Sequence, residues 1–299
     1  MKHKILGESD LSISRIAFGC MSIQKDNYAE NEKLLLNAFE KGINFFDTAD
    51  LYDNGANEIT LGQALKSIRE KVIISTKVGN QMRPDGKGWD WNPSKEYILW
   101  EVDKSLKRLQ TDYIDLYQLH GGTIGDPIDE TIEAFEILKQ QGKIRFYGIS
   151  SIRPNVIREY VKRSDIVSVM MQYSLLDRRP EQICFPLLQE KSIGVLARGS
   201  LAKGILTGKS SDNYLDYNQL IIKKASECIK DFSKNDRTPA ETAIQFALHH
   251  PAVTSAVVGI RTESQLNDAI GALEKPVLTE EEYSQIARSI PVNYYKEHL

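Results

Sequence analysis

The sequence predicts an α/β fold in which eight strand–helix units close into a barrel, and three observations support it. Short β-rich runs alternate with amphipathic helical patterns along the whole chain. Eight such runs can be counted, and polar residues able to carry chemistry close several of them. Alternation of this kind builds a parallel sheet covered on both faces, and eight units suffice to close it. The competing arrangement, an open doubly wound sheet, usually carries a Gly-x-Gly-x-x-Gly turn after its first strand, and none follows Gly19. The 299 residues therefore read as one (β/α)8 TIM-barrel domain spanning 1–299, with no linker, repeat or low-complexity segment marking a second.

Strands are expected at Ile16–Gly19, 43–47, 72–77, 113–120, 144–149, 166–172, 193–197 and 254–258. Helical patterns lie between them near 28–41, 57–69, 93–109, 129–140, 154–162 and 181–190, with one longer stretch over 218–249. Segment 130–139 illustrates the logic: its apolar residues recur at three- and four-residue spacing until Gly142 stops the helix and a strand begins. Before the first strand, residues 2–9 read as a small hairpin plugging the barrel floor. Past the eighth, 264–273 and 279–289 read as extra C-terminal helices, and 293–299 as a polar, aromatic tail lying on the barrel surface.

Composition narrows the function. A hydrophobic fraction of 41% and a charged fraction of 26% are ordinary for a soluble globular protein. A net charge of −3 creates no global field towards nucleic acid or anionic lipid. Cys20, Cys184 and Cys228 are scattered and odd in number, so neither a disulfide framework nor a zinc site is indicated. The first residues turn polar too early for a secretory signal, and no run approaches the ~18 apolar residues of a membrane helix. The expectation is a cytoplasmic protein with no nucleic-acid, membrane or metal partner.

Active sites of such barrels sit at the C-terminal ends of the strands. Asp47, Lys77 and His120 fall there, on the second, third and fourth strands, and Tyr52 lies close enough to Asp47 to fold back over the same mouth. A phenol with an ordinary pKa of about 10 is a poor acid near neutrality. An adjacent ammonium is expected to lower that pKa, and a buried carboxylate to keep the ammonium charged. Asp47, Lys77 and Tyr52 thus form a chain, with His120 orienting a substrate oxygen or sharing the proton. Such a set suits proton-coupled chemistry at a carbonyl. Trp89 and Trp91, on a loop after the third strand, either wall a substrate or anchor their own loop. Asp50 reads as a solvated turn residue, and Asp115 as a buried structural acceptor. Metal-assisted hydrolysis would need clustered ligands, and of the five histidines His120 alone closes a strand.

Several motifs in order carry a resemblance. They are Asn44-Phe45-Phe46-Asp47-Thr48-Ala49 with Tyr52, Glu58 and Leu61-Gly62; Ser105-Leu106-Lys107-Arg108-Leu109 running to Asp115 and His120; Gly148-Ile149-Ser150; and Gly204-Ile205-Leu206-Thr207-Gly208-Lys209. The chain resembles the aldo-keto reductases over nearly its whole length, nearer the bacterial members and the potassium-channel β-subunit branch than the mammalian aldose reductases. The resemblance implies NADPH-dependent reduction of a small aldehyde or ketone, hydride going to carbon while Tyr52 gives a proton to oxygen and His120 orients the carbonyl.

By the same resemblance Ser150 and Gln172 hold the nicotinamide carboxamide with Ser151 beside them. Leu201, Lys203 and Lys209 wrap the pyrophosphate, Arg261 meets the 2′-phosphate, and Gln265 and Asp268 lie near the adenosine. Gly19, Cys20, Met21, Asp47, Arg198, Gly199, Ser200 and Gly259 complete the implied cofactor contacts. The chain departs from the pattern at Arg198, where many relatives have an aromatic residue, at Ser151, where Asn or Arg is common, and at Ala269, where an Asn usually contacts adenine. The alternative within the resemblance is an NADP(H)-binding regulatory subunit with little turnover; the presence of all four catalytic residues favours the enzyme.

Overall fold

The computed structural model describes residues 1–23, 27–233 and 237–299. Eight parallel strands close the barrel: β1 Ile16–Gly19, β2 Phe45–Asp47, β3 Ile73–Val78, β4 Ile114–Leu119, β5 Ile144–Ser150, β6 Ser168–Gln172, β7 Gly194–Arg198 and β8 Val253–Gly259. Each pairs with its sequence neighbours, and β8 pairs with β1 through Ala256↔Ile16 and Gly259↔Gly19. Around them lie α1 Tyr28–Glu40, α2 Ala56–Leu65, α3 Lys95–Leu109, α4 Ile128–Gln140, α5 Pro154–Arg163, α6 Cys184–Glu190, α7 Gln219–Phe232, α8 Pro239–His249, α9 Glu263–Glu274 and α10 Glu280–Arg288.

Two apolar clusters follow from strand alternation, since successive side chains point to opposite faces. Phe45, Ile73, Leu116, Met170, Leu196 and Val257 pack inside the barrel, while Phe46, Ile74, Tyr117 and Leu119 face the helices. An antiparallel hairpin, His3–Ile5 with Ser12–Ser14, sends Leu6, Leu11 and Ile13 up into the barrel interior. Gly7 turns this hairpin at φ +55°, and a Cβ there would meet the Val167 carbonyl oxygen at 2.2 Å. Only glycine fits both the backbone and the gap.

Three expectations shift. The second strand starts at Phe45 rather than residue 43, because Asn44 is spent on the hairpin: its Oδ1 accepts from Ser14 N and its Nδ2 donates to Ser12 O. The stretch 218–249 is two helices. Thr238 caps the second with a reciprocal Glu241 bond, and Pro239 occupies its first turn. Residues 234–236 of that stretch lie outside the described residues. The loop with Trp89 and Trp91 is itself a hairpin, Asn80–Met82 pairing with Trp89–Trp91. Gly79, at φ +121°, makes room for it, since a Cβ would come within 2.7 Å of the Trp91 ring.

Candidate active site

Alternation places the polar side chains. Phe45 and Ile73 face the barrel interior, so Asp47 on β2, and Ser75 and Lys77 on β3, face it too; Leu116 does the same for Gln118 on β4. These residues form one hydrogen-bonded layer above the apolar core. Lys77 Nζ donates to Asp47 Oδ2 at 2.6 Å and to the Thr48 carbonyl at 2.6 Å. Ser75 Oγ donates to Asp47 Oδ1 at 3.1 Å, and Gln118 Nε2 donates to Ser75 Oγ at 2.7 Å. All four side chains are buried.

A tight turn brings Tyr52 back over this layer. Tyr52 N donates to Ala49 O at 3.1 Å, and Asp53, Asn54 and Gly55 then run at φ +50°, +56° and +85° before α2 begins. Asp, Asn and Gly are the residues that tolerate this left-handed conformation. The Tyr52 ring lies with its centroid 5.2 Å from Lys77 Nζ and meets the His120 ring edge-on at 5.9 Å. His120 is fixed by its own N–H donating to Val78 O at 2.7 Å, and its Nδ1 is buried without a partner among the described residues.

Electrostatics follow from this burial. Desolvation would discharge Lys77, but Asp47 and Tyr52 beside it hold its pKa above the ordinary value. For Tyr52 the expected direction is overturned. Burial raises its pKa, and the Lys77 ammonium, pulling it down as anticipated, does not outweigh that. The phenol is therefore firmly protonated, as a proton donor must be. Burial, with the positive charges of Lys77 and Arg198, takes His120 from 6.5 down to about 3.

His120 is thus neutral over the physiological range, and the sign of its effect on stability follows. An unfolded chain protonates this histidine below 6.5, while the folded one resists until about 3. Its contribution is whole above 6.5 and is lost as the pH falls from there towards 3. The expected outcome is that the His120 ring, followed by NMR, shows no titration between pH 8 and about 5, and that His120→Gln softens the acid loss of stability. A ring titrating near 6.5 would contradict the burial argument.

These groups stand at the foot of a cleft of about 950 Å³ across the C-terminal mouth of the barrel. Of the residues singled out by sequence, Gly19, Met21, Asp47, Tyr52, Lys77, Trp89, Trp91, His120, Ser150, Ser151, Gln172, Arg198, Gly199, Ser200, Leu201, Lys203, Gly259, Arg261 and Gln265 line it. Three do not. Cys20 is fully buried and packs beneath the mouth, its Sγ against the Phe18 carbonyl. Lys209 is exposed beyond the turn at Gly208, outside the lining. Asp268 points to the neighbouring helix, its Oδ1 accepting from Thr238 Oγ1 at 3.1 Å.

Asp50 is likewise not a solvated turn residue: it is buried, and burial together with Glu58 and Glu101 raises its pKa well above the usual carboxylate range. Asp115 is the structural acceptor expected, taking the Ile74 N–H and the guanidinium groups of Arg69 and Arg145.

The structure also brings in residues that the sequence reading passed over. Asn80 Nδ2 donates to His120 O, and Tyr214 receives Gln172 Nε2 at 3.0 Å; both line the cleft. Arg153 donates from Nη1 to the Gly122 carbonyl, bridging the loops after β4 and β5. Closeness to a strand's C-terminal end was the signal available for Asn80 and Arg153. Tyr214 lies far beyond β7 on a separate short hairpin with Tyr217, and no local signal marks it.

Comparison with known proteins places this geometry. The sequence model of the Aldo/keto reductase family matches residues 15–290. The chain belongs to the aldo/keto reductase family. Among curated proteins it is 49% identical to the "Uncharacterized oxidoreductase YqkF" of Bacillus subtilis (strain 168), over 100% of this chain and 99% of that one. It is 35% identical to the "NADH-specific methylglyoxal reductase" of Escherichia coli (strain K12), over 72% of each. Among solved structures, the aldo-keto reductase AKR11C1 from Bacillus halodurans in its holo form aligns with a TM-score of 0.94 at 49% identity, covering 100% of this chain and 99% of that one. The apo form of the same reductase aligns at 0.85. The conformation of this aldo/keto reductase is therefore nearer the holo form than the apo form. Oxidoreductase activity on small molecules goes with the family. Among the described residues no helix is long and apolar enough to cross a membrane.

Proposed function

We propose that the chain is an NADP(H)-dependent reductase of aldehydes or ketones in which Tyr52 donates the proton. The observation that carries this reading is the stacking of a protonated phenol over a buried Lys77–Asp47 pair, with a neutral imidazole at its edge, at the foot of a long cleft.

The cleft suits a polyanionic dinucleotide. Arg153, Arg198, Lys203 and Arg261 line it, and none of them forms an ion pair among the described residues. The acidic lining residue is Asp47, which Lys77 already neutralises. Gly199 and Gly204 adopt φ +75° and +89°, baring backbone along the same wall. Ser150 and Gln172 are suited to hold a carboxamide, Leu201 and Lys203 a pyrophosphate, and Arg261 a 2′-phosphate at the rim.

When bound, the reduced nicotinamide supplies the hydride. The protein's part is to polarise and protonate the carbonyl oxygen. Tyr52 Oη and the His120 ring offer that oxygen two hydrogen bonds at one point. Tyr52 passes its proton as negative charge develops on oxygen, and Lys77 then faces the phenolate, which it stabilises at close range. Asp47 keeps Lys77 charged and fixed throughout. The apolar Trp89–Trp91 hairpin covers the approach, and Trp91 is pinned by Nε1 donating to the Asp126 carboxylate at 3.1 Å.

The choice of NADPH rests on Arg261, whose guanidinium matches a phosphate dianion in charge and fork geometry. Its backbone is set by Arg261 N donating to Gln265 Oε1 at 2.8 Å, next to the cap of α9 at Thr262. Arg261→Ala is expected to weaken NADPH binding by about tenfold, a modest loss for an exposed charged contact, while NADH changes by less than about twofold. Fluorescence titration of the two reduced cofactors checks it. Equal losses would remove Arg261 from any phosphate contact. The reading as a whole is tested by following reduced-cofactor absorbance with a panel of aldehydes; binding without consumption would refute it.

A further inference from the structure

The cationic lining of the cleft exceeds what the proposed cofactor contacts use. Lys203 and Arg261 serve phosphates, and Arg198 ends β7 with its Nη1 on Gln172 Oε1 at 3.2 Å. Arg153 has no such assignment. It sits three residues past Ser150, at the mouth of β5, and one of its Nη nitrogens reaches across to the carbonyl of Gly122, two residues past His120. That single neutral acceptor ties the guanidinium beside the His120 loop.

The backbone N of Arg153 donates to Ser151 Oγ at 3.2 Å, but the remaining guanidinium donors have no protein acceptor among the described residues, although the side chain is half-buried. The acidic residue of that loop, Asp126, is committed elsewhere. Its oxygens accept from Thr123 N and Thr123 Oγ1 at 2.7 Å each, and from Trp91 Nε1 at 3.1 Å. Across the mouth, the catalytic layer carries no spare charge: Lys77 cancels Asp47, and His120 is neutral. A half-buried guanidinium with idle donors and no counter-ion is an anion site by chemistry and placement.

We propose that Arg153, with Arg198 at the end of β7 lining the same cleft, recognises a carboxylate on the carbonyl substrate, making this chain a reductase of aldehydes or oxo compounds that carry an acid group. This rests on the reading of the site as a carbonyl reductase and adds the substrate class. The fork of Arg153 suits a carboxylate bidentately, with the reacting carbonyl held at Tyr52 and His120 and the intervening carbons lying against Ile152 and the Trp89–Trp91 hairpin, which also line the cleft. A free guanidinium at this point rewards the acid and gives a neutral analogue nothing.

The test uses the full chain with NADPH and two matched substrates, 4-carboxybenzaldehyde and its methyl ester. The acid is expected to show kcat/KM at least about tenfold above the ester, and Arg153→Met is expected to bring the ratio to about one. Arg153→Lys, which keeps the charge but not the fork, is expected to retain part of the preference. Loop damage from losing the Gly122 contact would lower both substrates together and leave the ratio untouched, so an unchanged ratio in Arg153→Met overturns the proposal. So does an acid-to-ester ratio near one in the parent enzyme. Calorimetric binding of benzoate against benzamide gives a readout independent of turnover. Benzoate bound in the parent and lost in Arg153→Met supports the anion site even where neither aldehyde is reduced, a result that would instead refute the reductase reading. Benzoate and benzamide binding alike would overturn the site itself. Glyceraldehyde 3-phosphate against glyceraldehyde forms the second arm, and a preference for that pair alone would overturn the carboxylate in favour of a phosphate.

Discussion

Tyr52→Phe is expected to lower kcat/KM for carbonyl reduction by about 10²–10⁴-fold, the range general acid catalysis supplies, with NADPH affinity changed by less than about threefold. The substitution isolates one atom. Phenylalanine keeps the ring, and with it the edge-on contact to His120 at 5.9 Å and the position 5.2 Å from Lys77 Nζ. Lys77 loses its hydrogen bond with the Tyr52 oxygen but keeps its 2.6 Å acceptors, Asp47 and the Thr48 carbonyl, so the buried charge stays paired and the fold is little taxed. What disappears is the hydroxyl whose proton burial holds in place. His120 alone cannot replace it, because a histidine taken down to about 3 carries no acidic proton at neutral pH. Turnover within about tenfold of the parent would remove Tyr52 from the acid role. A parallel collapse of NADPH binding would make it a scaffold residue instead.

The fold was legible because it rests on repetition. Each barrel strand is a short apolar run, several of them closed by a polar residue, and each helix a run of three- and four-residue spacing, so an error of one or two residues at a boundary leaves the count of units intact. Asp47, Lys77 and His120 were legible for the same reason, since parity from Phe45, Ile73 and Leu116 puts them inside. What resisted reading depended on the third dimension. Asp50 sits in a polar turn by sequence, but α2 and α3 close over it, and Glu58 and Glu101 share its buried space. Glu58 is itself held by Thr76 Oγ1 and Arg108 Nε at 2.6 Å, a contact between α2, β3 and α3 that no linear pattern shows. The direction of the Tyr52 shift was missed because charge is countable in a sequence and desolvation is not. Tyr214 reaches the cleft only because the segment after β7 folds back on a two-residue hairpin, and the partner of Gln172 could not be read from either residue alone.

Lys77→Met should be the most damaging single change at the site, and its two consequences can be separated. The ammonium is buried, and removing it leaves Asp47 with a carboxylate whose remaining donors are Ser75 Oγ and, at 3.4 Å, Gln118 Nε2. Breaking one side of a buried ion pair costs about 3–5 kcal/mol, so the denaturation midpoint should fall markedly in urea melts. Activity should fall at least as far as in Tyr52→Phe, because the phenolate formed on proton transfer would face a methyl thioether in place of a positive charge. Adding Asp47→Asn to Lys77→Met removes the stranded carboxylate as well. The double variant should recover most of the lost stability, since a neutral pair of similar volume has no charge left to desolvate. It should recover none of the activity. That split assigns Asp47 and Lys77 two duties at once: mutual neutralisation in the barrel, and a fixed positive charge under the phenol. Should Lys77→Met still reduce aldehydes within about tenfold of the parent rate, the second duty falls and Tyr52 must draw its acidity from elsewhere. Should the double variant prove less stable than Lys77→Met, the amide's own unmet hydrogen bonds, and not the orphaned charge, would dominate the cost.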